Sequence, residues 1–438
     1  MIVVFYPPAV RPFAWLTGQA SWKMDLTETV AEGSAARQLQ FTLLGLVAFA
    51  QLAFRREERS APLRPNLLGW VAVVLAGLTA ASLIWSDDPG LSVRRLVALG
   101  TLGLAALALR RMPGAILLQL VFYTTLAGLT FGLAKEMAHG SFRPWDPTYR
   151  FSGTLSTPNV QGWNCALSFL AGLAIVHSRR RWKAALMLAL PSACLLLTRS
   201  RTSIAALIGA ALFYTFLSLL RQRRVVLVAS LCLAATAGVS LIWIGQSSPM
   251  LENAVKRGRH DTGLATLQGR TDVWQDAVPY VHARPWLGYG YDVFWTPDRI
   301  EEFATNLGWR NQNGHSDYLD ILLGLGYIGL CVFVCLLAMG IIRACRAAIE
   351  SGSTTDLFFS ALLVFCALHG LLETTLVGPS FLTLIYMTAI VRFGFSAKRS
   401  PESRPFVEAT RKGSQGGRSA AYPPSHGGAL DLKAAVLR

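Results

Sequence analysis

Residues 311–340 read "NQNGHSDYLDILLGLGYIGLCVFVCLLAMG", and the fold class turns on the part that begins at Asp317. From 317 to 340 the only charges are Asp317 and Asp320, both at the front. A helix over this run is about 36 Å long at 1.5 Å per residue, enough to cross a hydrocarbon core of about 30 Å. Ser316 stands where an N-cap side chain is wanted, and the two aspartates fall in the first turn, where the helix dipole favours anions. The stretch therefore predicts a membrane-crossing helix that starts at a polar, histidine-bearing loop.

Similar runs occur along the chain, near 39–54, 67–85, 96–109, 114–134, 158–176, 184–198, 202–220, 225–244, 356–376 and 380–396. With 317–340 they make about eleven helices. The chain of 438 residues is 53% hydrophobic and 15% charged. Soluble domains carry about 25% charged residues, so the expected class is an all-α polytopic membrane protein. The expected organisation is an N-terminal segment 1–38 of open location, a bundle over 39–244, a large loop 245–316, C-terminal helices over 317–396 and a basic, disordered tail 397–438. A cleavable leader is not expected, because "MIVVFYPPAVRPFAW" has no basic start and is broken by prolines.

The formal charge of +16 invites a nucleic-acid reading, but its distribution opposes one. Basic residues gather in short clusters between apolar runs, "RREER" at 55–59, "RRRWK" at 179–183 and "RQRR" at 221–224 among them. That is the pattern of cytoplasmic loops, and no interleaved basic and aromatic face accompanies it. Segments 86–95, 135–157, 199–201, 245–316 and 377–379 then lie on the other side. The seven cysteines form no CxxC pair and imply no disulfide framework.

The far side is poor in nucleotide and metal motifs. No GxxxxGK[ST] loop or HExxH helix is present, and Asp87-Asp88 in "WSDDPG" reads as a turn. Neither a cofactor nor a metal is expected. Guanidinium and imidazole groups are there instead: Arg150 in "YRFSGTLSTPN", Arg201 in "TRSRTS", Arg270 in "QGRTDVW" and His315 in "NGHSDY". Arginine forks suit phosphate oxygens and keep their charge near lipid. Arg201 stands out because it puts positive charge into a very short far-side turn, against the usual charge bias. His315 precedes a helix N-terminus, which disfavours imidazolium and leaves the neutral form a general base needs, while Asp317 pulls the other way or orients the ring. His369 and Glu373, four apart, read as one face of a membrane helix, either an interface ion pair or a functional pair.

Together, "GRTDVWQDAVPYVHARPWLGYGYDVFW" (269–295) and "NGHSDYLDILLGLGYIGL" (313–330) resemble the O-antigen ligase / Wzy-type polymerase superfamily. "SLIWSDDPGLSVRR" (82–95), "RFSGTLSTPN" (150–159) and "LTRSRTS" (197–203) are similar to its other landmarks, and the spacing is most like the exopolysaccharide (succinoglycan-type) polymerases. The resemblance implies a GT-C-like helical membrane glycosyltransferase in the bacterial inner membrane, with its large loop and active site facing the periplasm. It implies that a polyprenyl-diphosphate-linked oligosaccharide is the donor and a glycan the acceptor. Arg201, Arg270 and Arg150 would hold the diphosphate and His315 would be the base, with Asp317, Glu373, His369 and Asn159 as accessories. Family members carry His-Asn where this chain has His315-Ser316. A chain-length regulator and an envelope export complex are the implied partners. A ligase moving polymer onto lipid A core or protein, and a transporter of lipid-linked glycans, are the competing readings.

Overall fold

The computed structural model describes residues 35–54, 64–146, 148–179, 186–221 and 269–396. Residues 1–34 of the expected N-terminal segment, the span 225–244, the first third of the large loop (245–268) and the basic tail lie outside these residues. The described chain is helical: α1 (Ala35–Phe54), α2 (Leu67–Ala81), α3 (Pro89–Leu109), α4 (Gly114–Ala138), α5 (Pro158–Arg179), α6 (Ala189–Thr198), α7 (Arg201–Arg221), α8 (Arg270–Ala283), α9 (Pro297–Leu307), α10 (Asp317–Ser351), α11 (Thr354–His369) and α12 (Phe381–Gly394). Two-residue strands, β1 (Arg64–Pro65) and β2 (Phe395–Ser396), pair antiparallel.

The helices start where capping chemistry allows. Side chains of Asn66, Asp88, Thr296, Ser316, Ser353 and Ser380 accept hydrogen bonds from first-turn amides of α2, α3, α9, α10, α11 and α12. Gly308 and Gly352 end α9 and α10 in the left-handed conformation, which costs a residue without Cβ little.

Among the described residues six helices are long and apolar enough to cross a membrane, and four shorter apolar helices accompany them. The protein is a multi-pass membrane protein. Large apolar side chains exposed on α1 and α2, such as Leu46, Phe49, Trp70 and Val74, face the lipid position. The shorter α11 and α12 are different. Phe358, Phe359, Leu362, Leu382 and Leu384 are fully buried, so these helices are largely enclosed by protein.

Connections gather at two ends of the bundle. At one end Asn66 Nδ2 donates to Phe393 O at 2.7 Å, Arg110 donates to Phe395 O at 3.3 Å, and Arg392 pairs with Asp356 at 3.4 Å. At the other end Trp85 donates to Leu287 O at 3.0 Å and Asp87 bridges Arg284 and Arg299, both at 2.6 Å. Segments 82–95, 139–157, 199–200, 269–316 and 370–380 share that second end, referred to below as the site end.

Besides the helix expected at 356–376, which stops short at the site, three helices depart from the run-length expectation. The run expected at 96–109 is a helix from Pro89, because Arg95 is neutralised by Asp292 at 2.6 Å rather than left to solvent. The run expected at 184–198 is a 3-10 turn, Leu186–Leu188, followed by the ten-residue α6. The run expected at 317–340 extends to Ser351 and is broken at Gly326, at φ 65° and ψ −168°. The break leaves main-chain groups that must find partners inside the protein. Segment 285–290 supplies them: Tyr289 N donates to Leu323 O and Gly290 N to Gly324 O, both at 2.9 Å, and Tyr327 N donates to Pro285 O at 2.8 Å. A Cβ on Gly326 would lie 2.2 Å from Trp286 C and O, and one on Gly288 would lie 2.5 Å from Leu323 O. The glycines of "LGYGY" and "LLGLG" are thus where two main chains meet.

Residues 269–316 carry a small aromatic core of their own. Phe294 and Trp295 meet edge to face at 5.1 Å, Trp295 and Phe303 at 4.9 Å, and Val273, Ala277 and Ile300 close it. Arg299 lies over Tyr289 at 4.4 Å and Phe294 at 4.6 Å while held by Asp87. Asp88 caps α3 and Asp87 binds two arginines, so this pair is a structural corner.

Candidate functional site

The expected helix over 356–376 stops at His369, and the segment 370–380 crosses the site end as a loop. The cause lies in the first turn of α10. Asp317, fully buried, accepts the amides of Thr375 and Leu376, both at 2.8 Å, while its own amide donates to Gly370 O at 2.8 Å. Asp320 accepts Trp295 Nε1 and Gly314 N at 2.8 Å each, and the Thr374 hydroxyl. A Cβ on Gly370 would lie 2.7 Å from Asp317 Oδ2, so the approach requires glycine. The regular helix ends at His369, yet Glu373 N still donates to His369 O at 3.0 Å, so the two remain one helical turn apart, and Asp317 is an anchor whose carboxylate is taken up mostly by main chain.

That loop turns Glu373 into a hub. Its carboxylate pairs with Arg270 and accepts Asn159 Nδ2 at 2.6 Å, and Asn159 Oδ1 in turn accepts Arg150 Nη2 at 2.7 Å. His315 Nδ1 lies 3.9 Å from Glu373 Oε2 and has no hydrogen-bond partner among the described residues. Five expected residues thus form one chain, Arg150–Asn159–Glu373–Arg270 with His315 alongside, drawn from four separated segments. Burial raises the Glu373 pKa, but His315, Arg270 and His369 together outweigh it and hold the carboxyl below its usual value. The side chains of Arg270 and Glu373 are 9% and 10% exposed, so their charges meet largely away from solvent.

Each member is placed by local structure. Arg270 is the first residue of α8, after Gly269 at φ 82°. Arg150 Nε also donates to Thr198 O at 3.1 Å, tying the 139–157 loop to the end of α6. Glu136 holds the same loop, accepting Ser152 N at 3.1 Å, Gly153 N at 2.6 Å and the Tyr149 hydroxyl. His315 has a positive φ of 49°, unusual for a residue with a Cβ, and its amide donates to Asn313 Oδ1 at 3.0 Å. Ser316 caps α10 and also donates to Gly370 O at 3.2 Å.

Two further expected members lie on α11 and α7. His369 is fully buried; its Nε2 lies 3.0 Å from Ser203 Oγ, and its ring stacks on Phe365. Arg201 is an exposed residue opening α7, between Ser200 and Ser203, whose hydroxyls bond each other at 2.9 Å. Glu136 was missed from sequence although a charge inside "FGLAKEMA" is a signal, since ionisable groups in apolar runs are costly. Asp320 gave no signal beyond its place in the first turn of a helix.

A family model described as O-antigen ligase matches residues 184–334 of this chain. The match includes Arg201, Arg270, His315 and Asp317, whereas Arg150, Asn159, His369 and Glu373 lie outside it. The chain is also similar to the exopolysaccharide production protein ExoQ of Rhizobium meliloti (strain 1021). The two are 26% identical over 277 residues, covering 58% of this chain and 60% of the relative. The match thus spans less than two thirds of that protein's length. Both findings agree with the resemblance read from the motifs, and they support an enzyme of polysaccharide biosynthesis of the polymerase or ligase type.

Proposed function

We propose that the protein is an inner-membrane glycosyltransferase that joins polyprenyl-diphosphate-linked oligosaccharide repeat units into exopolysaccharide at the periplasmic face. The observation that supports this most is the hub: two arginines and an asparagine arranged around one buried carboxylate, with the His315 ring nitrogen Nδ1 3.9 Å from that carboxylate. An anion already sits among these groups in the form of Glu373, so the same donors suit phosphate oxygens.

The step follows. An acceptor hydroxyl gives its proton to His315 and its oxygen attacks the anomeric carbon of the lipid-linked sugar. The bond from that carbon to the diphosphate oxygen breaks, and the electron pair leaves with polyprenyl diphosphate. Arg270 and Arg150 meet the charge that develops on the departing oxygen, where fixed donors act most strongly. Arg201 serves the distal phosphate or the lipid end. Glu373, 3.9 Å from the ring, stabilises the imidazolium that has just formed. One displacement inverts the anomeric centre.

Polymerisation is preferred over ligation because the curated relative is an exopolysaccharide production protein. Mass spectrometry of lipid-linked glycans from a deletion strain tests this. Single repeat units accumulating on polyprenyl diphosphate support a polymerase. Full-length lipid-linked chains point to a ligase, and no accumulated intermediate at the periplasmic face points to transport.

A further inference from the structure

We propose that Trp309 is the platform on which the acceptor saccharide ring rests. This inference builds on the glycan-transfer reading and names the acceptor side of the same site. Trp309 is 39% exposed, and its ring lies 5.9 Å from the His315 ring with the planes inclined at 43°. Its Cζ2 and Nε1 also stand 4.0 Å from the point where a Cβ on Gly269 would be. One indole thus spans from the histidine to the residue before Arg270. Of the other exposed tryptophans, Trp145 lies in the 139–157 loop and makes no ring contact among those described. Trp70 lies on α2 among exposed apolar side chains, and Trp286 packs on Tyr327 at 6.3 Å. Those suit a membrane interface.

The platform is stiff. Gly308 ends α9 with φ 75° and turns the chain so that Trp309 leaves the helix. Beyond it, Asn311 Nδ2 donates to Asn313 O at 2.5 Å, and Trp274 Nε1 donates to Gly314 O at 2.8 Å. A loop pinned at both ends loses little further freedom when a ligand arrives. The chemistry fits a sugar. A pyranose has an apolar C–H face that lies on an indole, and an equator of hydroxyls that needs polar partners. The Arg310–Glu301 pair, at 2.6 Å and about half exposed, and the exposed Asp272 stand on neighbouring surface. A ring held on Trp309 has a hydroxyl within reach of His315, whereas the diphosphate lies toward Arg270.

The test uses the full-length protein in nanodiscs, labelled with 5-fluorotryptophan and titrated without donor. The probe is an oligosaccharide mixture made by mild acid hydrolysis of the source organism's own exopolysaccharide. The fluorine resonance that Trp309→Phe removes is expected to shift saturably. Kinetically, Trp309→Ala and Trp309→Leu are expected to raise the acceptor KM about tenfold, with a smaller fall in kcat and no change in the donor KM. Trp309→Phe is expected to recover most of the loss, because a flat ring remains. An unmoved Trp309 resonance in a preparation that transfers glycan overturns the platform and leaves the proposed function standing. A saturable shift in a protein that transfers nothing overturns the proposed function instead. If the alanine variant fails to fold, the wild-type titration and the phenylalanine variant still decide.

Discussion

Replacing Glu373 by alanine leaves the Arg270 guanidinium, 9% exposed, without its counter-charge. Removing one partner of a buried ion pair typically costs about 3–5 kcal/mol, since the remaining charge loses its counter-charge away from solvent. The companion change Arg270→Ala leaves a carboxylate that still accepts Asn159 Nδ2 at 2.6 Å, so its cost belongs at the lower end of that range. The double variant strands no charge. It is expected to be more stable than the sum of the single losses predicts, by a coupling of about 2–3 kcal/mol. The assay is an unfolding titration of purified protein in a fixed detergent, scored by helix content for the wild type, both singles and the double. Additive losses of under about 1 kcal/mol each would refute the buried pair, and with it the placement of Glu373 as a hub.

Other expectations follow from the same geometry. Gly326→Ala forces a Cβ to within 2.2 Å of the Trp286 main chain at a backbone angle suited to glycine, so at least one of the three hydrogen bonds across the break is lost. A loss of about 3 kcal/mol or more is expected in the same titration, and unchanged stability would contradict the break. Acid should weaken the fold through Glu373. Its folded-state pKa lies below the unfolded value of about 4.3, so its contribution is complete above about pH 5 and fades as pH falls through the folded-state pKa. Glu373→Gln is expected to flatten that acid limb, and an unaltered limb in a pH series of melting curves would count against it. Asp87→Ala releases Arg284 and Arg299 and should speed proteolytic cleavage within 284–299 severalfold, with little effect elsewhere.

The legible part of the fold is the part set by local physics. Run length and charge located most helices, and Ser316 with two acidic first-turn residues marked the start of α10. The illegible part depends on partners distant in the chain. Arg94 and Arg95 look like the end of a loop until Asp292 arrives to neutralise Arg95 inside α3. "LLGLGYIGL" is apolar throughout and carries no sign of a break, because the main chain that satisfies it comes from residues 285–290. The end of α11 at His369 was hidden for the same reason, since Asp317 draws the following amides away from helical geometry. At the site, residue types pointed to Arg150, Arg270 and His315 as anion-binding or proton-moving groups. Spacing along the chain could not show that they meet through Asn159 and Glu373. The four-residue interval between His369 and Glu373 survives as a single turn, Glu373 N donating to His369 O at 3.0 Å, but spacing alone could not show that the chain leaves the helix there.

Transfer in a purified system bears most directly on the chemistry proposed for His315 and Arg270. Wild-type protein and the His315→Ala and Arg270→Ala variants would be reconstituted in liposomes with lipid-linked repeat units isolated from the deletion strain. Products would be sized by mass spectrometry and released polyprenyl diphosphate counted. Wild type is expected to yield lipid-linked glycans of two or more repeats, with one polyprenyl diphosphate freed per bond formed. Each variant is expected to lose at least about 100-fold in rate. Variants that fold normally and still lengthen the glycan at the wild-type rate would contradict the roles given to these two residues.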